Sequence, residues 1–211
     1  MKKPHLLHAA YSLGLLLLLT MTAGKTAWAG LVTECGMSCT WEISVDGGVV
    51  MEGMYDVDAE TGDIILAEPV SMVMPDFSVS ISEMYGNIDP VLGFGLGATN
   101  NTDAPKTFAF AFSLPLGGLP VPIATSAQLG TTLTAFTEDG GSVFPTLGGG
   151  NIVDSQDISF TPFASVDKGV DIGTGLSVAG MGGAVLNENI TGSIISGGPY
   201  DLMSVTVAFG L

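Results

Sequence analysis

Apolar side chains recur at every second position along most of this chain, and that spacing confines it to strands. Phe77, Val79 and Ile81 alternate with Ser78, Ser80 and Ser82, and Phe108, Phe110 and Phe112 alternate with Ala109 and Ala111. Near the end Met203, Val205, Val207, Phe209 and Leu211 alternate with Ser204, Thr206, Ala208 and Gly210. A period of two sends successive side chains to opposite faces of a strand, so each segment has one face to bury. Turn signals separate the segments: Asp46-Gly47-Gly48, Glu60-Thr61-Gly62, Asn100-Asn101-Thr102-Asp103, Glu138-Asp139-Gly140-Gly141 and Ser196-Gly197-Gly198-Pro199. The spacing predicts strands over 40–45, 49–56, 63–66, 77–85, 91–99, 106–114, 123–136, 157–163, 192–195 and 200–211. Gly130 predicts a bulge or bend, and the Gly-rich stretch 164–189 carries no readable pattern. No segment has the spacing of an amphipathic helix of ordinary length. Short strands at close intervals predict an all-β fold, an antiparallel β-sandwich of jelly-roll or Ig-like type.

The N-terminus reads differently. Met1-Lys2-Lys3 is basic, Leu13 and the run Leu15 to Leu19 are apolar, and Ala27-Trp28-Ala29 is a small-residue exit before Gly30. That order is a secretory signal peptide, an apolar helix too short to read first as a membrane span. Cleavage after Ala29 is expected, giving a leader over 1–29 and one domain over 30–211, with no transmembrane helix in the mature chain. The expected location is secreted, extracellular or cell envelope.

Removing the leader sharpens the composition. His5, His8, Lys2, Lys3 and Lys25 leave with it, the chain has no arginine, and only Lys106 and Lys168 remain against all 21 acidic residues. A formal charge of −19 excludes a phosphate-binding face, so nucleic acid is not an expected partner, and anionic lipid surfaces are disfavoured. Histidine-based triads and zinc sites are excluded by composition. A pair of carboxylates suffices in principle for glycoside hydrolysis, but no pair stands out and no catalytic residue is assigned. The chain is expected not to be an enzyme.

Two patterns invite a specific chemistry. Cys35 and Cys39, in the order Cys-Gly-Met-Ser-Cys, are expected to form a disulfide in an exported chain. Four residues of straight strand span too far to bridge, so the bond needs a turn, which Gly36 permits. A thiolate copper site with Met37 and an intermolecular cross-link are the other readings. Asp56, Asp58, Glu60 and Asp63 form the densest acidic cluster. Alternating carboxylates beside a glycine turn suit the oxygen shell of Ca²⁺, the one cofactor considered, although the spacing departs from the EF-hand pattern. The other reading is a solvated hairpin tip turning at Thr61-Gly62. Asn100-Asn101-Thr102 and Asn189-Ile190-Thr191 match the glycosylation acceptor pattern and read equally as turns. Tyr55, Tyr85 and Tyr200 are either a sugar-stacking platform or core residues.

The segment from Tyr85 to Phe112 contains Asp89-Pro90 leading a strand, then Asn100-Asn101-Thr102 with a following Pro105, then the alternating strand Phe108 to Phe112. This resembles exported Gram-negative proteins of the PEP-CTERM, exosortase-associated kind. The closing Gly197-Gly198-Pro199-Tyr200-Asp201-Leu202-Met203-Ser204-Val205-Thr206-Val207-Ala208-Phe209 is similar to their late strand. About 40 residues carry the resemblance, and the Pro-Glu-Pro sorting tail is not among them. It implies an extracellular or envelope β-sandwich linked to exopolysaccharide or biofilm matrix, and maps no catalytic residue.

The leading expectation is therefore a non-enzymatic sandwich with a structural or interaction role. Its partners would be extracellular polysaccharide or protein, with self-association included. The alternative is a fibre subunit polymerising by strand exchange, with 30–45 or the C-terminal strand as donor. A carbohydrate-binding module and a small outer-membrane barrel are further alternatives.

Overall fold

A computed structural model describes residues 11–23, 39–58, 60–66, 68–87, 91–119, 121–160, 164–167, 169–195 and 197–211. These residues form strands and no helix. In chain order the strands are β1 (Tyr11–Ala23), β2 (Thr40–Val45), β3 (Gly48–Met54), β4 (Asp56–Val57), β5 (Asp63–Ile65) and β6 (Val70–Val73). Next come β7 (Phe77–Asn87), β8 (Val91–Asn100), β9 (Thr107–Leu119), β10 (Ile123–Ala135), β11 (Gly141–Pro145) and β12 (Val153–Phe160). The last are β13 (Ala164–Asp167), β14 (Asp171–Ile172), β15 (Leu176–Val178), β16 (Gly182–Ile194) and β17 (Tyr200–Gly210). The expected all-β antiparallel sandwich is what the chain forms.

Two sheets build it. One runs β16-β10-β1-β8-β7-β5-β4, with β6 also on β7; the other runs β13-β12-β17-β9-β2-β3, with β11 on β17, β14 on β12 and β15 on β11. Alternation decides which side of each strand is covered. Along β10, Ile123, Thr125, Ala127, Leu129, Thr131, Leu133 and Ala135 are buried, and along β2 so are Trp41, Ile43 and Val45. The apolar faces meet in one core. Across the layers Phe94 of β8 stacks on Phe112 of β9 with centroids 4.2 Å apart, and Phe77 of β7 meets Phe108 of β9 edge-on at 6.5 Å. Apolar residues inside and polar ones outside is the reverse of a membrane barrel's polarity.

Large rings lie over glycines directly across the ladder. Trp41 faces Gly53, and Tyr85 faces Gly93. A β-carbon on either glycine would fall inside the opposing ring's contact distance, so the ring needs hydrogen at that position.

The β8–β9 turn is closed by one buried side chain. The Asn100 amide donates to the carbonyls of Ala104 at 2.8 Å and Leu211 at 2.9 Å, and its oxygen accepts from the Thr102 N–H at 2.9 Å and hydroxyl at 2.8 Å. Lys106 and Leu211 exchange both backbone hydrogen bonds at 2.9 Å. The Asn-Asn-Thr turn thus ties the end of the chain to two strands at once.

Three expectations change. Tyr11–Ala23, expected as a leader helix, is a strand between β8 and β10. A continuous apolar run has no period, so it serves as helix or as buried strand according to its surroundings. Gly130 sits in unbroken register opposite Leu16 and Asn187, without a bulge. The unpatterned stretch 164–189 holds β13, β14, β15 and most of β16. On β16 burial alternates, with Ala184, Leu186 and Glu188 half-buried and Val185, Asn187 and Asn189 exposed, but apolar and polar residues fall on both faces, so the sequence does not mark it.

Candidate functional site

The most distinctive arrangement lies around β1. Its residues Leu13, Leu15, Leu17 and Leu19 stand in register opposite Ala98, Leu96, Phe94 and Leu92 of β8. On the other side they stand opposite Leu133, Thr131, Leu129 and Ala127 of β10. All eight of these flanking residues are buried. β8 and β10 are each antiparallel to β1 and hence parallel to each other, one strand-width apart on either side. Every other described pairing in the sheet is antiparallel as well. Neither β8 nor β10 contains a charged residue. The hydroxyls of Thr125 and Thr131, on the inner face of β10, are buried without a hydrogen-bond partner. Tyr11–Ala23 therefore fills the middle of the sheet, between strands that have no other partner on that side among the described residues. Ala29, the expected cleavage point, lies outside the described residues.

The acidic cluster forms a hairpin tip. Asp58 Oδ1 accepts the N–H groups of Glu60 at 2.7 Å and Thr61 at 3.0 Å, the Asp58 N–H donates to the Asp63 carbonyl at 2.9 Å, and Gly62 takes a φ of 73°. The Thr61 and Glu60 N–H groups hold the Asp58 carboxyl below the usual range. Asp56 lies on β4 opposite Ile65, and Asp63 opens β5 opposite Asn87. Among the described residues no three acids, cysteines or histidines converge to hold a metal ion. The carboxylate best placed to bind an ion serves the turn.

Lys106 is fully engaged. Its ammonium pairs with Asp76 at 2.9 Å and Asp46 at 3.3 Å and lies over the Phe77 ring at 5.8 Å. The Asp76 hydrogen bond leads the causes that raise its pKa. The Thr107 N–H, followed by the Lys106 hydrogen bond, holds the Asp46 carboxyl low. Lys168 lies outside the described residues. Cys39 is buried just before β2 and is not a free thiol. Cys35, its expected partner, lies outside the described residues.

The three tyrosines do not make a platform. Tyr55 and Tyr200 are buried, whereas Tyr85 is 40% exposed over Gly93. The Tyr55 hydroxyl donates to the Ser113 carbonyl, and burial pushes its pKa upward. Asn100 is buried with both amide atoms bonded, so the first acceptor pattern is a turn, while Asn189 is exposed on β16.

A cleft lined by Asn151, Asp171, Gly173, Glu188 and Asn189 was not legible in the sequence. Its acids come from 164–189, which shows no period. Glu188 accepts the Gly173 N–H at 2.8 Å and the Thr174 hydroxyl at 2.9 Å, while Asp171 Oδ1 is buried without a partner. Both oxygens of Glu188 therefore fasten the β14–β15 turn to β16.

No protein-family model, curated protein or solved structure matches this chain.

Proposed function

We propose that this is an exported, non-catalytic β-sandwich, released after Ala29, with a structural or interaction role in the extracellular matrix or cell envelope. The observation that carries the reading is the outer edge of the first sheet. β16 is 13 residues long and, among the described residues, its backbone ladder runs to β10 alone. It has neither lysine nor proline, and its one charge, Glu188, is tied inward. Val185 is 63% exposed there and Ile190 is exposed too. Natural sheets guard long edges with charge, proline or a covering loop, because an open row of N–H and C=O groups recruits another strand. An edge left open over such a length suits a protein whose work is contact. The PEP-CTERM-like turn and the Cys35–Cys39 disulfide belong to the same proposal, since both fit an envelope setting. Polysaccharide or protein of the matrix is the proposed partner, with Ca²⁺ at the acidic hairpin a subordinate part.

Fractionation of the producing cell tests it. The protein should appear outside the cytoplasm with Gly30 as its first residue, and should cosediment with extracellular polysaccharide or matrix protein. A cytoplasmic protein still starting at Met1, or one that never leaves the soluble fraction, would sink the reading.

A further inference from the structure

We infer that the mature chain carries an acceptor slot between β8 and β10, filled by an uncharged, aliphatic β-strand donated by another polypeptide. The inference rests on leader removal, part of the function proposed above. Cleavage after Ala29 takes β1 out of the sheet and leaves two rims. Along Val91–Ala98 and Ile123–Ala135 every second residue then has an N–H and a C=O without a ladder partner. Leu92, Phe94, Leu96 and Leu133, buried beside β1, lose their cover. Both losses are unfavourable, so the slot does not remain open unless something else occupies it.

Closing it directly is poorly suited to this topology. β8 and β10 run parallel, and their fusion would place a parallel ladder in an otherwise antiparallel sheet. An inserted strand antiparallel to both keeps the alternation. The chain's own new N-terminus cannot replace β1. Ten residues, 30–39, precede Thr40, where β2 begins in the opposite sheet. At about 3.4 Å per residue they reach roughly 34 Å, and about 10 Å of that is needed to cross between layers. The rest, about seven positions at that rise, falls short of the eight that β1 shares with β8.

The donor's chemistry follows from the rims. Both are uncharged, so a charged residue carried inward would be buried without a partner. The contact with β8 spans eight positions, Leu13–Thr20, which sets the minimum length. A second copy has no spare strand of that kind among its described residues. Its C-terminal strand β17, an expected donor, is paired on both sides by β9 and β12. Residues 30–39 of a second copy, the other expected donor segment, contain Thr33, Glu34 and Gly36 and no alternating aliphatic side chains. The donor is therefore a different chain that has them, as β1 has at Leu13, Leu15, Leu17 and Leu19.

The test uses the exported chain, its first residue fixed by intact mass, and a synthetic peptide of Tyr11–Ala23 carrying a neutral glycol tail. Fluorescence anisotropy should show saturable one-to-one binding and a raised melting temperature. A peptide with Leu15→Asp and Leu17→Asp should bind at least about tenfold more weakly, since each aspartate would stand in register between buried, uncharged residues of the two rims. Equal binding of the two peptides, or none by a folded monomer, would overturn the slot. Self-assembly that excludes the peptide would overturn the foreign donor in favour of a second copy. A mass retaining residues 11–23 would instead overturn leader removal, and the slot with it.

Discussion

The two sheets of this molecule share one core but differ in what completes them. The sheet of β9, β2 and β17 is assembled wholly from 40–211, and its central strands are paired on both sides by neighbours within that span. The sheet of β10 and β8 is completed by Tyr11–Ala23, which has the composition of a leader. Both rest on the same period of two. What separates them, under the leader removal proposed above, is whether the strand that joins the middle stays with the chain. A fold that is self-sufficient on one side and strand-dependent on the other is suited to contact with other polypeptides.

Four substitutions or conditions probe that contrast. The largest effect should come from the contact that joins the sheets. Phe112→Ala removes the ring stacked on Phe94 and should cost about 3–5 kcal/mol in urea unfolding. A single transition would mean that the sheets unfold together, and two would separate them. Next, Asn100→Ala removes the amide's hydrogen bonds to the carbonyls of Ala104 and Leu211, each of which keeps one other donor, and should cost about 1–2 kcal/mol. Its effect should fall on the β9–β17 side, with faster amide exchange near Leu211. Smaller and opposite in sign, Thr131→Val replaces a buried hydroxyl that has no partner and should stabilise by about 1 kcal/mol when a strand fills the slot. With the slot open, water reaches that hydroxyl and the gain should shrink.

The smallest effect is electrostatic, and it sits where Lys106 of the self-sufficient sheet meets Asp76 beside β7 of the other. Asp46, held low chiefly by the Thr107 N–H, and Asp76, held low chiefly by Lys106, have folded pKa values below their unfolded ones. Their stabilisation is thus present above pH ~4 and lost as pH falls through the lower folded values. Lys106, raised chiefly by Asp76, contributes below its ordinary pKa and loses that only as pH rises through the higher folded value. Melting followed from pH ~6 to ~2 should fall less steeply in Asp46→Asn than in the parent, and identical slopes would remove the triad from the account.

Much of this was legible in the residues. Wherever one face is buried and the other wet, as in Phe77–Asn87 or Tyr200–Gly210, alternation located the strand. It failed at β16, where both faces are partly open, and at Tyr11–Ala23, where Leu15 to Leu19 is an unbroken apolar run and period carries no information. The acidic hairpin was legible as a turn because Asp, Thr and Gly each have a local role there, and Asp58 fills its own. The strand slot could not be read in advance. It depends on β8 and β10 running parallel, a relation between residues far apart in the chain.

Amide hydrogen exchange on the monomeric mature chain, residues 30–211, is the most direct test of the unequal sheets. The account predicts slow exchange along Thr107–Leu119 and Tyr200–Gly210, with fast exchange at alternate amides of Val91–Ala98 and Ile123–Ala135. Equal protection of all four strands in the monomer would contradict it, since the second sheet would then be complete without a donated strand.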